Sequence, residues 1–364
     1  MQEKYHSLDG LRAYAAIGIV LMHVQATVPV MPRGGFVFDK FIPSLTHFVY
    51  LFIIISAFSL CCGYYDRFKT GAITPNDFYI RRYKRLLPFF ALLVFLDLVV
   101  PHAPNKYEMT HMTGEVATGF TAVKESLYDA FAQLTLAFNL LPHPKPTVGV
   151  SWFLGLIFLF YMIFPYFVFM MDNKRRAWIS LGLCYLFCFM AVDYFLTDKF
   201  INWKLTRHNI VYDAPFLALG GVVYLYKSDI KRIVKANRWI ILGLCMTLTC
   251  IYWFVRQTHT GFAFVVTMSL ITASWLCYAI GTEGKILNNR LVRYLSSISL
   301  EIYLCHMACY RVVGFMHLSN YVNNIYLVYV ISAVLTLGIA IALSHCCKFY
   351  ILPLIEKMMS KIIK

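Results

Sequence analysis

Charged residues are scarce in this chain: Asp, Glu, Lys and Arg fill 14% of its 364 positions, against roughly 25% in soluble domains. That leaves too little charge to cover a water-facing surface and excludes a soluble enzyme. The eleven cysteines include no CxxC pair and fall in or at the ends of apolar runs. They read as buried free thiols, so neither a disulfide framework nor a zinc site is expected, and no metal. Internal repeats and low-complexity runs are missing. The longest polar stretches, Pro101–Ser126 and the tail after Lys348, are too short for an appended soluble domain, so one membrane-embedded domain over residues 1–364 is expected. Acids are scarcer than bases, 18 against 33, for a formal charge of +15. In a soluble protein that excess would point to nucleic acid. Here the charge sits in short loops between apolar spans, so membrane topology is the simpler cause and no nucleic-acid partner is expected.

What fills the chain instead is apolar: 60% hydrophobic and 17% aromatic residues. A run of roughly 18 apolar residues crosses a hydrocarbon core about 30 Å thick. Such runs lie near Leu11–Met31, Ser44–Cys62, Leu86–Val100, Val150–Met171, Ala177–Leu196, Ile210–Tyr226, Trp239–Val255, Phe262–Gly281, Tyr294–Leu318 and Asn324–Cys347. The first has no small-residue cleavage site after it and reads as a retained span rather than a signal peptide. The pattern predicts an all-α polytopic membrane protein with about ten transmembrane helices.

Orientation follows from Lys and Arg, which accumulate in short cytoplasmic loops. With the N-terminus inside, 23 of them fall on the cytoplasmic side and nine outside, which predicts both termini cytoplasmic. The apolar stretch Leu127–Leu141 would reverse every later loop if it crossed. It carries Asp129, Gln133 and Asn139 and is followed by Pro142, Pro144 and Pro146, so it reads as a re-entrant or interfacial segment.

Three features carry chemistry. Arg12 and His23 are eleven helical steps apart, 20° past three full turns, so they share one face roughly 16 Å apart along the axis. An intramembrane ionisable residue is costly to hold and marks a candidate site; a histidine that only ties helices together by a hydrogen bond is the plainer alternative. His306 stands twelve residues into the ninth span, as His23 does in the first, which predicts similar depths. Glu301 and Arg311 lie around it. Imidazole suits general-base work near neutral pH, and either histidine can deprotonate a hydroxyl. The third feature is the cytoplasmic segment Thr74–Pro88. Thr74 with Asp77, and Pro75 at the first helical position, predict a capped helix start. Arg81, Arg82 and Arg85 then neighbour one another on the helix surface, an arrangement that suits phosphate oxygens and equally suits anchoring against anionic membrane lipid.

The sequence resembles the acyltransferase-3 family of integral-membrane O-acyltransferases. The likeness lies in Leu8-Asp9-Gly10-Leu11-Arg12 with His23, in Phe52–Phe58 (FIIISAF), in Tyr79–Pro88 (YIRRYKRLLP), in Ser151-Trp152-Phe153-Leu154 with Tyr161 and Pro165, and in Ile298–His306 (ISLEIYLCH). The resemblance implies a stand-alone membrane domain of the bacterial cytoplasmic membrane. It also implies transfer of an acyl group, usually acetyl from acetyl-CoA, to a hydroxyl of an envelope carbohydrate or other surface acceptor. It makes Arg12 and His23 the central pair, puts Arg82 and Arg85 on the CoA side beside Arg81, and matches His306 to the histidine closing the ninth-span motif. One departure stands out: many members carry an acid after the fourth-span tryptophan, whereas Trp152-Phe153-Leu154-Gly155-Leu156 has none. Glu301, Asp193 and Asp213 are the candidates to supply it. Transfer is read as direct, with an acyl-enzyme on His23 or Cys305 as the other route. A proton-coupled transporter or flippase of a polar or lipid-linked substrate would use the same ionisable residues. Against it stand the absent repeat and an arginine cluster suited to a phosphate ligand.

Overall fold

In the computed structural model, residues 5–28, 35–99, 119–136, 148–195, 208–254, 261–355 and 357 are described, and every element among them is helical. In chain order those of eight or more residues are α1 (His6–Val24), α2 (Phe48–Leu60), α3 (Pro75–Val99), α4 (Gly119–Leu134), α5 (Ser151–Met170), α6 (Lys174–Met190), α7 (Ile210–Leu225), α8 (Lys227–Ala236), α9 (Arg238–Phe254), α10 (Phe262–Gly281), α11 (Arg290–Ser297), α12 (Ser299–Gly314) and α13 (Ile325–Cys346).

Six helical stretches among the described residues are long and apolar enough to cross a membrane: His6–Thr27, Val37–Lys69, Ser151–Met170, Lys174–Asp193, Phe262–Gly281 and Ile325–Ile355. Counting the pair α8 and α9, bent by 101°, as one span makes seven. The ten expected runs exceed this because three fall short as helices. The first half of α3 is charged, and only its part from Leu86 is apolar. At 16 residues, α7 is short. The ninth run is broken at Ile298 into α11 and α12, and α12 has 16 residues. Residues 227–236, read from sequence as loop, form the charged helix α8. The expected non-crossing segment begins within α4, also too short for a span, and two residues past that helix Leu136 has a left-handed φ of 58°; residues 137–141 of that reading lie outside the described residues.

The chain divides into two compact units. The first holds Met1–Ala15, Ser44–Tyr79 and Leu159–Ser296. At its centre is α2, whose faces are apolar all round and whose residues from Val49 to Phe58 are buried save Ser56, as expected of an enclosed helix. α7 and α10 pack onto it. Gly220 permits the approach of α7: a Cβ there would lie 2.7 Å from the Ile54 carbonyl oxygen and the Ala57 Cβ. The Tyr50 ring stacks on Phe216 at 4.7 Å in the same contact. In contrast, α6 exposes Trp178, Ile179, Leu183, Leu186 and Phe187, the surface expected of a helix meeting lipid. The predicted cap of α3 is present: Thr74 Oγ1 accepts from the Asp77 N–H at 3.1 Å and donates to its carboxylate at 2.9 Å.

The second unit holds Ala16–Pro43, Ile80–Phe158 and Ser297–Lys364. Its densest contact is between α12 and α13. On α13 the residues Ser332, Thr336, Ala340 and Ser344 are buried at four-residue intervals. Small side chains on one face let two helix backbones come close where apolar lipid offers no hydrophobic drive to associate. The opposite face exposes Leu327, Val330 and Val334.

Candidate active site

In the second unit the structure brings His23 and His306 together, their ring centroids 5.0 Å apart and inclined at 46°. His23 is half-buried and His306 fully buried. The His306 Nδ1 lies 2.6 Å from the carbonyl oxygen of Tyr303, one helical turn back. A carbonyl only accepts, so Nδ1 carries the proton and donates it, and the lone pair of the neutral ring is left on Nε2. That Nε2 is buried and has no hydrogen-bond partner among the described residues. Buried polar atoms are nearly always paired, so an imidazole held as the Nδ1–H tautomer with an open Nε2 is the arrangement a general base needs.

Tyr303, which fixes this tautomer, is itself anchored. Its hydroxyl donates to the Val150 carbonyl at 3.2 Å, and its ring meets Phe153 edge-on at 5.2 Å. The Trp152-Phe153-Leu154 segment, which lacks the acid, thus contributes packing that holds α12. Ser151 Oγ, at the same helix start, is buried without a hydrogen-bond partner among the described residues.

The other expected acid and thiol lie elsewhere in this unit. One carboxylate oxygen of Glu301, Oε1, is 3.4 Å from Lys348 Nζ, which also donates to the Ser297 carbonyl at the break before α12. Five residues separate Glu301 from His306, turning it about 140° away on the helix. Cys305 is buried between α12 and α13, its Sγ 3.5 Å from Ser344 Oγ and 3.8 Å from the Ala340 carbonyl. On α3, Arg81 and Arg85 are exposed and Arg82 is half-buried. Tyr83 between them donates to the Thr135 carbonyl at 2.9 Å and packs edge-on against Phe158, which orients the arginine-bearing turn.

Arg12 belongs to the first unit. Its guanidinium donates to Ser59 Oγ and to Asp9 Oδ1, the latter at 3.3 Å. Asp9 also accepts from Ser296 at 3.3 Å. Gly10 keeps this corner closed, since any Cβ there would collide with the Leu287 backbone. Asp213 is buried in the first turn of α7, and Asp193 is exposed. Tyr303, Ser59 and Lys348 were not singled out by sequence reasoning. Nothing in the spacing marks a backbone carbonyl, a lone serine in an apolar helix, or a lysine in a tail. Among the described residues no three His, Cys, Asp or Glu side chains gather where they would hold a metal ion.

A family profile described as an acyltransferase domain matches residues 5–345. The chain belongs to this acyltransferase family. Its relatives include an O-acetyltransferase of Staphylococcus aureus (strain NCTC 8325 / PS 47) named OatA, 26% identical over 363 residues that cover 90% of this chain and 54% of OatA. A second is YrhL of Bacillus subtilis (strain 168), provisionally named a peptidoglycan O-acetyltransferase, 24% identical over 319 residues that cover 82% of this chain and 47% of YrhL. The chain thus spans about half the length of the relatives it matches. No solved structure matches it.

Proposed function

We propose that this family member is a membrane O-acyltransferase that moves an acetyl group from cytoplasmic acetyl-CoA to a hydroxyl of an envelope carbohydrate. The observation that carries the reading is the paired histidines, with Nε2 of His306 open beside the half-buried His23. The names of OatA and YrhL favour O-acetylation, and the second favours a sugar polymer as acceptor. In direct transfer, a histidine nitrogen takes the proton of the acceptor hydroxyl as its oxygen attacks the thioester carbonyl. The C–O bond forms, the C–S bond breaks, and the proton passes to the departing CoA thiolate. His23 is the reachable member and takes the proton first; His306, with its tautomer fixed, supports it from the buried side. An acyl-enzyme on Cys305 is disfavoured, because that thiol is packed between α12 and α13. Glu301, neutralising Lys348, acts in holding α12 rather than in the proton transfer.

Arg81, Arg82 and Arg85 would receive the CoA phosphates, since guanidinium groups one turn apart suit phosphate oxygens. This requires the arginine-bearing end of α3 to face the cytoplasm, as in the topology of ten crossings, cytoplasmic termini and a non-crossing segment near Leu127–Leu141.

Purified protein in lipid nanodiscs, given acetyl-CoA and saccharide acceptors, should release free CoA only when an acceptor is present and should yield an ester product. A transporter or flippase would bind and release no CoA, and that result would remove the reading. Single cysteines placed at positions 106 and 231 in a cysteine-free background should label from opposite sides; labelling from one side would overturn the topology.

A further inference from the structure

An aromatic cluster in the second unit lies at the C-terminal end of α1, the end that carries His23. Tyr329 of α13 is buried and donates its hydroxyl to the Leu21 carbonyl at 2.8 Å. Against it stands Phe38, from the turn Val37–Phe41, whose ring meets Tyr329 edge-on at 5.3 Å and Tyr326 at 5.2 Å. Tyr326 is 48% exposed and Phe38 half-buried. Asn324 fixes the start of α13 by accepting from the Tyr326 and Leu327 N–H groups at 3.0 and 3.2 Å. The turn Gln25–Thr27 that follows α1 packs on both α12 and α13. Two partly open rings therefore sit on a fastened base, next to the helix end that bears a candidate base.

We infer that Phe38 and Tyr326 form the platform on which the acceptor sugar ring stacks, a subsite that rests on the O-acyltransferase reading. A pyranose has an apolar C–H face and a rim of hydroxyls. Aromatic faces, negative at the centre, attract such polarised C–H groups as they attract the edges of other rings. The rim needs only a few polar groups to set orientation, and Asp39 stands beside Phe38, its carboxylate accepting from the Gly35 N–H at 3.1 Å.

Tyrosines that merely mark a membrane interface turn their hydroxyl to the headgroups. Phe38 has no polar end to turn to headgroups and is seated on Tyr329, whose hydroxyl turns inward to the Leu21 carbonyl near His23, so a sugar held at that end of α1 is favoured over a lipid interface.

The test uses the full chain in nanodiscs, acetyl-CoA as donor and chitotriose as the probe acceptor. Phe38→Leu and Tyr326→Leu keep the apolar bulk and remove the ring face. Each should raise the KM for chitotriose about tenfold, the effect of roughly 1.4 kcal/mol. The KM for acetyl-CoA should not follow that change, and Tyr326→Phe, which keeps the ring face, should restore the KM for chitotriose lost in Tyr326→Leu. Variants that keep the wild-type KM for chitotriose, whether or not they melt earlier, overturn the platform and leave the transferase reading standing. A wild-type protein that acetylates no saccharide removes both.

Discussion

The fold treats its two polar corners in opposite ways. In the first unit Arg12 is partly exposed and satisfied, with Asp9 and Ser59 taking its donors and Ser296 bracing Asp9. In the second, His306 is fully buried, spends one nitrogen on the Tyr303 carbonyl and leaves the other without a hydrogen bond among the described residues. Orienting a charge needs several hydrogen bonds and tolerates water. Holding a lone pair ready needs the reverse, because each hydrogen bond to Nε2 and each nearby water would lower its availability. The contrast matches the proposed reading, in which the arginine corner orients and the histidine pair transfers the proton.

Substituting the histidines should break that contrast with the largest effect. His23→Ala and His306→Ala are each expected to lower turnover ~100-fold or more, the usual size of general-base loss. Acetyl-CoA should still bind, and for the half-buried His23 thermal stability should fall only modestly, since intramembrane hydrogen bonds average ~0.6 kcal/mol. Turnover, donor affinity and melting measured on one preparation decide it: a folded, fully active His23→Ala protein would end its role as base and move the assignment to His306.

Next in size is the donor. Arg82→Ala and Arg85→Ala should each weaken acetyl-CoA binding roughly tenfold to a hundredfold, from the loss of a charge-assisted hydrogen bond worth about 1.5–3 kcal/mol. Equal affinity in a binding titration of both variants would make the cluster a membrane anchor only.

A packing change in the first unit sharpens the comparison from the other side. Gly220→Ala should cost ~1–3 kcal/mol by forcing α7 off α2, visible as a lower melting temperature. Activity per folded molecule should survive, because no histidine of the pair lies in that contact. Lost activity without lost stability would show that the first unit shapes the chemistry directly.

The smallest effect belongs to a surface pair. Asp172 accepts a hydrogen bond from Lys69 at 3.0 Å, which, with the attraction of that ammonium, holds its carboxyl below the usual value of 3.8. A lowered folded value gives stability that is present above 3.8 and is lost as pH falls through it. Asp172→Asn should therefore melt slightly earlier than the parent at neutral pH, with the gap closing in acid. A gap that widens in acid would contradict the pairing.

Much of this protein is legible in its amino-acid sequence, because the bilayer imposes local rules. Apolar length and helical period determine the all-α class, the spacing Thr74-Pro75-Asn76-Asp77 determines the cap of α3, and matching positions in two spans predict similar depths for His23 and His306, though not their contact. The crossing count is less legible, since an apolar run does not reveal the break at Ile298. Family membership follows from motifs held in order along the chain. Only the tertiary structure decides which nitrogen of His306 is open, because a carbonyl such as that of Tyr303 looks the same at every position in a sequence. The same holds for the pairing of Glu301 with Lys348 and of Arg12 with Ser59. A side chain's partner depends on which helix backbones pack close together, and that closeness is set by long-range contacts such as Gly220 on Ile54 and the small-residue face of α13 on α12.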